Sequence, residues 1–228
     1  MPGVATHLLA PVNRAAAAAL TLPRTLPAAP GVALTFDDGP HPEGTPAILE
    51  LLARHRATAT FFVVGEQVRR RPALLLRIRA QGHQVALHGD RHRLQLRLGS
   101  NALIDDLRRG AAAIEDALGE PPRWHRPPYG IYSPPGLAAT RAADLEPLLW
   151  SRWGKDWRRL TTPRRIAARA THGMLPGDVI LLHDADFYSA PGSHLRTAAA
   201  VEIVLAELSR RKLCTVLPAD VVARAHTG

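Results

Sequence analysis

Short apolar runs alternate along this chain with longer segments in which apolar residues recur at helical spacing. Residues 32–36, 57–64 and 178–182 are runs of β-forming residues, and each predicts a strand. Residues 45–54 and 100–119 repeat Leu and Ile three and four positions apart, which predicts helices. This alternation of strand and helix is typical of parallel strands joined by crossover helices.

The remaining predicted elements are shorter but keep the same alternation. They are strands at residues 83–87, 123–126, 148–150 and 214–217, and helices at residues 72–82, 136–143 and 193–211 with another from Pro163. Seven such strands predict an α/β fold, a distorted or incomplete (β/α)7 barrel with parallel strands and outer helices. The pattern does not separate a barrel from an open sheet.

Length and composition favour a single domain. A chain of 228 residues with 46% hydrophobic content can bury one sizeable core. We predict a catalytic domain at residues 31–228, preceded by a helix or arm at residues 1–30 that packs on it. No stretch is long enough to span a membrane. The weak apolar stretch at residues 15–22 lacks a basic cluster before it, so cytoplasmic location is predicted and secretion is the alternative.

The charge and the cysteine content exclude several classes of function. The formal charge is +9, but the arginines are scattered, and their densest runs carry no aromatic residues that could stack on bases. We therefore expect a solvated basic surface and no nucleic acid partner. Cys214 is the one cysteine, which excludes an internal disulfide and a cysteine-rich zinc site. It lies in an apolar run and is predicted to be a buried thiol.

Two adjacent carboxylates close the first predicted strand, and a Gly-Pro turn follows them. Asp37 and Asp38 therefore lie at a strand end that opens into a loop, where α/β enzymes place their chemistry. Two carboxylates side by side repel each other, so a divalent cation bound by one, with the other left as a base, would suit the pair. A surface turn is the simpler alternative for Asp-Asp-Gly.

Other polar residues follow the later predicted strands. His88 and His92 follow the third strand, Arg126 the fourth, Asp156 the fifth and His183 the sixth. Because the carboxyl ends of parallel strands share one face, these side chains are expected to meet Asp37 and Asp38 there.

A histidine pair four residues apart predicts a metal site. Two imidazoles from a tight loop can bind one ion, and a carboxylate from another strand completes a two-His-one-carboxylate set. Such a set suits Zn²⁺, with Co²⁺, Ni²⁺ and Mn²⁺ as alternatives. His183 is expected to act as a general acid, with Asp156 or its rival Asp184 as partner. Arg126 would pair with the carboxylate that does not bind metal.

These residues form a pattern that resembles the polysaccharide deacetylases, which are carbohydrate esterase family 4 and carry a NodB-homology domain. Five motifs occur in order over about residues 31–218: TFDDGP at 35–40, HGDRH at 88–92, RPPYG at 126–130, DW at 156–157 and LLH at 181–183. The resemblance implies a distorted (β/α) barrel and metal-dependent hydrolysis of an N-acetyl group to an amine and acetate.

The resemblance also implies a role for each matching position. Asp37 would be the general base and His183 the general acid, with Asp156 tuning His183 and Arg126 tethering Asp37. The metal ligands would be Asp38, His88 and His92. The backbone N–H of Tyr129 would help to hold the oxyanion, and Trp157 and Leu181 would wall the pocket for the acetyl methyl group.

One position departs from the motifs, and several partners stay open. Gly89 stands where the family usually has Ser or Thr, which removes a loop hydrogen bond but no metal ligand.

The substrate is expected to be an N-acetylated sugar or another small molecule, and the chain is expected to be a monomer or weak oligomer. An amide hydrolase of a non-sugar N-acyl or cyclic amide metabolite is the alternative, and a non-catalytic metal- or nucleic-acid-binding module is less favoured. The loops expected to line the entrance carry Asp90-Arg91, Ile131-Tyr132 and Phe187-Tyr188.

Overall fold

The computed structural model describes residues 20–225, in which seven parallel strands form one curled sheet. The strands are β1 (Ala33–Asp37), β2 (Thr60–Val63), β3 (Gln84–Leu87), β4 (Trp124–His125), β5 (Glu146–Pro147), β6 (Arg152–Trp153) and β7 (Val179–His183). Their order across the sheet is β5-β4-β3-β2-β1-β7-β6. The order begins with β5 and ends with β6, so these two strands are free edges and the curled sheet is a barrel that is only half closed. This agrees with the predicted distorted (β/α)7 fold.

Eight α-helices surround the sheet in this part of the chain. They are α1 (Gly44–Arg54), α2 (Gly65–Arg70), α3 (Pro72–Ala80), α4 (Ser100–Leu118), α5 (Pro134–Ala142), α6 (Pro163–Thr171), α7 (Ser193–Arg210) and α8 (Pro218–Ala225). Local chemistry sets several of their ends. The hydroxyl of Thr162 caps α6 by accepting the Arg165 N–H, and Gly119 ends α4 with a φ of 76° that favours glycine.

Alternation along the strands divides the core into two layers. In β1, Leu34 and Phe36 point outward and pack under the helices, whereas Ala33 points into the barrel. Thr35 and Asp37 share the inward face with Ala33, because successive side chains of a strand point to opposite sides. The inner layer therefore ends in polar groups at the carboxyl end of β1.

An N-terminal segment packs against the connection between the two edge strands. The Leu149 N–H, in the connection from β5 to β6, donates to the Pro23 carbonyl, and Arg24 Nε donates to the Trp150 carbonyl. Leu22 and Leu26 are buried in the inner layer. The prediction of an arm at residues 1–30 falls in large part on residues 1–19, which lie outside the described residues.

The predictions of strands at residues 148–150 and 214–217 and of a buried Cys214 were wrong. Residues 148–150 are not a strand but join β5 to β6, since the carbonyls of Leu148 and Leu149 turn to accept hydrogen bonds from a buried arginine. Residues 214–217 are not a strand of the sheet either, because only Thr215 bridges to Val32. Cys214 is exposed, contrary to prediction. Helices α2 and α8 were not predicted.

Within residues 20–225, no helix combines the length and the apolar character that crossing a bilayer requires.

Candidate active site

The polar strand-end residues converge at one edge of the sheet. Asp37 ends β1 and pairs in register with His183, which ends the neighbouring β7. On the other side of β1, His88 directly follows β3 and Arg126 follows β4. All four are buried. The parallel strands therefore bring groups that are distant in sequence into one pocket.

Asp38, His88 and His92 form a compact cluster of ligand atoms. Asp38 Oδ1 lies 3.4 Å from His88 Nε2 and 3.3 Å from His92 Nε2. The two histidines lie at the ends of a loop rather than on a helix, and Asp38 takes a φ of 82° in the turn after β1. The predicted metal-ligand residues are therefore brought together.

The chemistry of this cluster fits a divalent cation. His88 Nδ1 lies 2.7 Å from the Arg126 carbonyl, which can only accept, so Nδ1 carries the proton and Nε2 presents its lone pair to Asp38. Asp38 Oδ1 is buried and has no hydrogen bond. Although burial opposes it, the electrostatic effect of His92, His183 and His88 holds the pKa of Asp38 well below its usual range. Two imidazoles and a carboxylate that stays ionised are a zinc-type donor set.

Arg126 holds Asp37 in a fixed orientation. Arg126 Nη1 donates to Asp37 Oδ1 at 2.7 Å and to Thr35 Oγ1 at 2.9 Å. Its other nitrogens donate to the carbonyls of Leu148 and Leu149, both at 3.0 Å. The guanidinium is fully buried and makes these four hydrogen bonds, so it is a rigid support for Asp37. The second oxygen of Asp37 faces the metal cluster, 3.8 Å from His88 Nε2.

Asp156 is the partner of His183. Asp156 Oδ1 lies 2.9 Å from His183 Nδ1, and Oδ2 accepts the His183 backbone N–H at 2.7 Å. Thr197 Oγ1, on α7, also donates to Oδ2. Burial alone would lower the pKa of His183, but the charge and hydrogen bond of Asp156 outweigh it and raise the pKa to about 10. The alternative partner, Asp184, instead accepts the Thr45 hydroxyl.

The other predicted pocket residues lie around this centre. The Tyr129 ring makes an edge contact with His92 at 4.6 Å between centroids, and Tyr129 has a φ of 63°. Trp157 lies edge-on to His183 at 6.3 Å. Leu181 is buried in the inner layer, two positions before His183 on the same side of β7.

The two tyrosines expected at the entrance have different positions. Tyr188 stacks on His92 at 4.2 Å between ring centroids, and its hydroxyl donates to Glu66 at 2.6 Å. Tyr132 is instead buried in the inner layer and donates to the His125 carbonyl, so its placement at the entrance was wrong.

A second cluster, His41, Asp186 and His194, resembles the first in composition but not in protonation. His41 Nδ1 accepts the backbone N–H groups of Glu43 and Gly44 at 3.2 and 2.9 Å. A neutral His41 must therefore carry its proton on Nε2, the atom 3.3 Å from Asp186 Oδ1. Since Nε2 is then a donor without a free lone pair, this cluster is a set of hydrogen-bonding and ionic contacts rather than a cation site.

Two supporting threonines of the site had no predicted role, although Thr35 is the first residue of the TFDDGP motif. Thr197 and Thr35 support Asp156 and Arg126 from distant parts of the chain, 41 and 91 residues away. A lone threonine in an apolar strand or helix is too common to stand out in one sequence. A buried position on the inward face of β1 was the available signal for Thr35.

Comparisons with known proteins agree with the fold and the motifs. The sequence model described as polysaccharide deacetylase matches residues 27–148. The chitooligosaccharide deacetylase of Sinorhizobium fredii is 41% identical over 165 residues, which are 72% of this chain and 76% of that protein. The peptidoglycan-N-acetylglucosamine deacetylase of Bacillus cereus is 30% identical over 197 residues, 86% of this chain and 89% of that protein. This chain therefore belongs to the polysaccharide deacetylase family.

A solved structure of the family confirms the predicted fold. A pseudoenzyme of carbohydrate esterase family 4 from Bacillus anthracis superimposes with a TM-score of 0.74 at 25% identity, over 83% of this chain and 64% of that chain. Because the family fold also occurs in a pseudoenzyme, activity depends on the side chains of the site and not on the fold alone.

Proposed function

We propose that this chain is a metal-dependent N-deacetylase that releases acetate from N-acetylglucosamine units of chitooligosaccharides or peptidoglycan. Membership of the family supports a deacetylase, and the two curated relatives described above are named for these substrates. The observation that carries the proposal is the position of a carboxylate, Asp37, and a protonated imidazole, His183, beside one metal-type cluster.

The cation would be held by Asp38, His88 and His92. When bound, it would polarise the acyl oxygen and lower the pKa of a coordinated water. Zn²⁺ suits the donor set best, and Co²⁺, Ni²⁺ and Mn²⁺ accept the same ligands.

Asp37 would act as the general base. Its Oδ1 accepts a hydrogen bond from Arg126, which fixes the orientation of the carboxylate, while Oδ2 faces the metal cluster. Oδ2 can therefore take the proton of the attacking water as the water oxygen bonds to the acyl carbon. The backbone N–H of Tyr129 would donate to the oxygen that becomes negative.

His183 would act as the general acid. Asp156 holds its Nδ1 proton, so Nε2 is the atom left to serve the substrate. With a pKa raised to about 10 by Asp156, the ring is protonated at neutral pH. Nε2 can then give its proton to the amide nitrogen as the C–N bond breaks, which yields the free amine and acetate. Trp157 and Leu181 would enclose the acetyl methyl group.

The test is acetate release from defined substrates. N-acetylated chitooligosaccharides, peptidoglycan fragments, single N-acetylated amino sugars and non-sugar N-acyl metabolites would be compared, before and after chelation and after zinc is restored. Release from the glycans that chelation abolishes and zinc restores is the expected result. Release only from non-sugar amides would favour the alternative hydrolase, and zinc binding without turnover would favour a non-catalytic module.

A further inference from the structure

The loop that joins the two histidine ligands is held between two helices. On one side, the first N–H groups of α2 donate to this loop, from Gly65 to the Gly89 carbonyl at 3.0 Å and from Glu66 to the Asp90 carbonyl at 2.9 Å. These bonds satisfy the carbonyls of the loop but leave the Asp90 N–H to be satisfied elsewhere.

On the other side of the loop, the side chain of Asp106 on α4 accepts two hydrogen bonds from residues around His92. Its Oδ2 accepts the Asp90 N–H at 2.9 Å, and its Oδ1 accepts Arg93 Nη2 at 2.6 Å. The buried carboxylate of Asp106 thus binds residues on both sides of His92, namely the backbone of Asp90 and the side chain of Arg93. Side chains on α4 therefore restrict the position of a metal ligand on a different element.

The glycines around Asp106 make this contact possible. Gly89 has a φ of 84°, and a Cβ atom there would lie 2.9 Å from Asp106 Oδ2. Gly110 is one helical turn after Asp106 on the same face of α4, and a Cβ there would lie 2.9 Å from the Asp90 nitrogen. A side chain at residue 89 and the Asp106 carboxylate would compete for the same space.

We infer that Asp106 is a positioning residue for the metal site, and that it holds from α4 the loop that joins the two histidine ligands. The inference rests on the proposed metal site. Asp106 touches neither substrate nor metal, and it acts by holding His92 where its Nε2 meets His88 Nε2 and Asp38 Oδ1. Groups behind metal ligands typically change affinity by about 10- to 100-fold when removed.

The test compares Asp106→Ala and Asp106→Asn with the matched control Asp105→Ala. Asp105 is the preceding residue of α4, has the same charge and pairs with Arg108 and Arg109, and its side chain is 51% exposed. Zinc affinity would be measured by competition with a coloured chelator, and kcat at saturating zinc. We expect Asp106→Ala to bind zinc about 10- to 100-fold more weakly, with kcat at saturating zinc close to that of the wild type. Asp106→Asn should lie between, because an amide oxygen still accepts the Asp90 N–H.

The outcomes separate this inference from the proposed function. Equal zinc affinity in Asp106→Ala, Asp105→Ala and wild type would overturn the inference alone, as would a lower kcat at saturating zinc with unchanged affinity. Absence of zinc binding in the wild type would refute the metal site and this inference together. If Asp106→Ala does not fold, Asp106→Asn and Arg93→Gln carry the test, with the rise in Tm on adding zinc as the second readout. We expect zinc to raise the Tm of both Asp106→Asn and Arg93→Gln by less than it raises the Tm of Asp105→Ala. An equal rise in Tm would overturn the inference.

Discussion

His183 Nδ1 lies 2.9 Å from Asp156 Oδ1, and both groups are almost fully buried. Asp156 also accepts the backbone N–H of His183, so one carboxylate fixes both the ring and the strand end that carries it. Because Nδ1 is held in this way, the chemistry of His183 is confined to Nε2.

The first prediction concerns pH. The folded pKa of His183 is raised to about 10 by Asp156, above the ordinary value of about 6.5. The pair therefore adds stability that is fully present below about pH 6.5 and is lost as the pH rises through about 10. If protonated His183 is the acid, kcat/KM should fall in the same alkaline range.

The Asp156→Asn variant tests that assignment. Without the negative charge, the pKa of His183 falls, so the alkaline limb of the kcat/KM profile should move to lower pH. Turnover should fall by about 10²-fold or more, as for other misplaced acid groups. Thr197→Val, which removes only one hydrogen bond to Asp156, should shift the limb less. An unchanged limb in Asp156→Asn would show that another group titrates.

A second prediction separates the metal ligands from the acid. His92→Ala removes one of three ligands, so the purified variant should hold little zinc and gain little Tm when zinc is added. His183→Ala should bind zinc like the wild type but lose about 10²- to 10⁴-fold in kcat. Metal analysis and kinetics on the same preparations check both. Wild-type zinc content in His92→Ala would contradict the ligand assignment.

A third prediction is that the described residues bind one ion and not two. His41 has its Nδ1 occupied by backbone N–H groups, so the His41, Asp186 and His194 cluster should not bind zinc. His194→Asn should therefore leave the zinc content unchanged, whereas His92→Ala abolishes it. A second equivalent of zinc in the wild type that His194→Asn removes would show that this cluster is a metal site.

A fourth prediction concerns the buried pair of Arg126 and Asp37. Arg126→Met should lower the free energy of unfolding by about 3–5 kcal/mol, because it leaves Asp37 buried without a counter-charge. Denaturant unfolding measures the loss. The double variant Asp37→Asn with Arg126→Met should recover part of it, because neither charge remains. No recovery would mean that the bonds of Arg126 to the Leu148 and Leu149 carbonyls, rather than the ion pair, provide its stabilisation.

Local patterns were sufficient for the larger elements. The helix predicted at residues 100–119 is present as Ser100–Leu118, because apolar residues recur at helical spacing and Gly119 favours a left-handed end. Residues 178–182 were recognised as a strand because a continuous apolar run suits a strand buried on both faces. The short strands β5 and β6 were missed because two-residue pairings leave no periodic pattern.

For the site, the sequence alone was enough to predict the residue types and their motifs, because a carboxylate or an imidazole at a strand end is visible in the sequence. Which groups pair with each other was decided only by the tertiary structure. Asp156 rather than Asp184 pairs with His183, Thr197 and Asp106 act from helices, and the tautomer of His41 distinguishes two clusters of like composition. These pairings depend on distances of about 3 Å between groups that are far apart in the chain. A hydrogen bond requires such a distance, and the order of residues does not specify it.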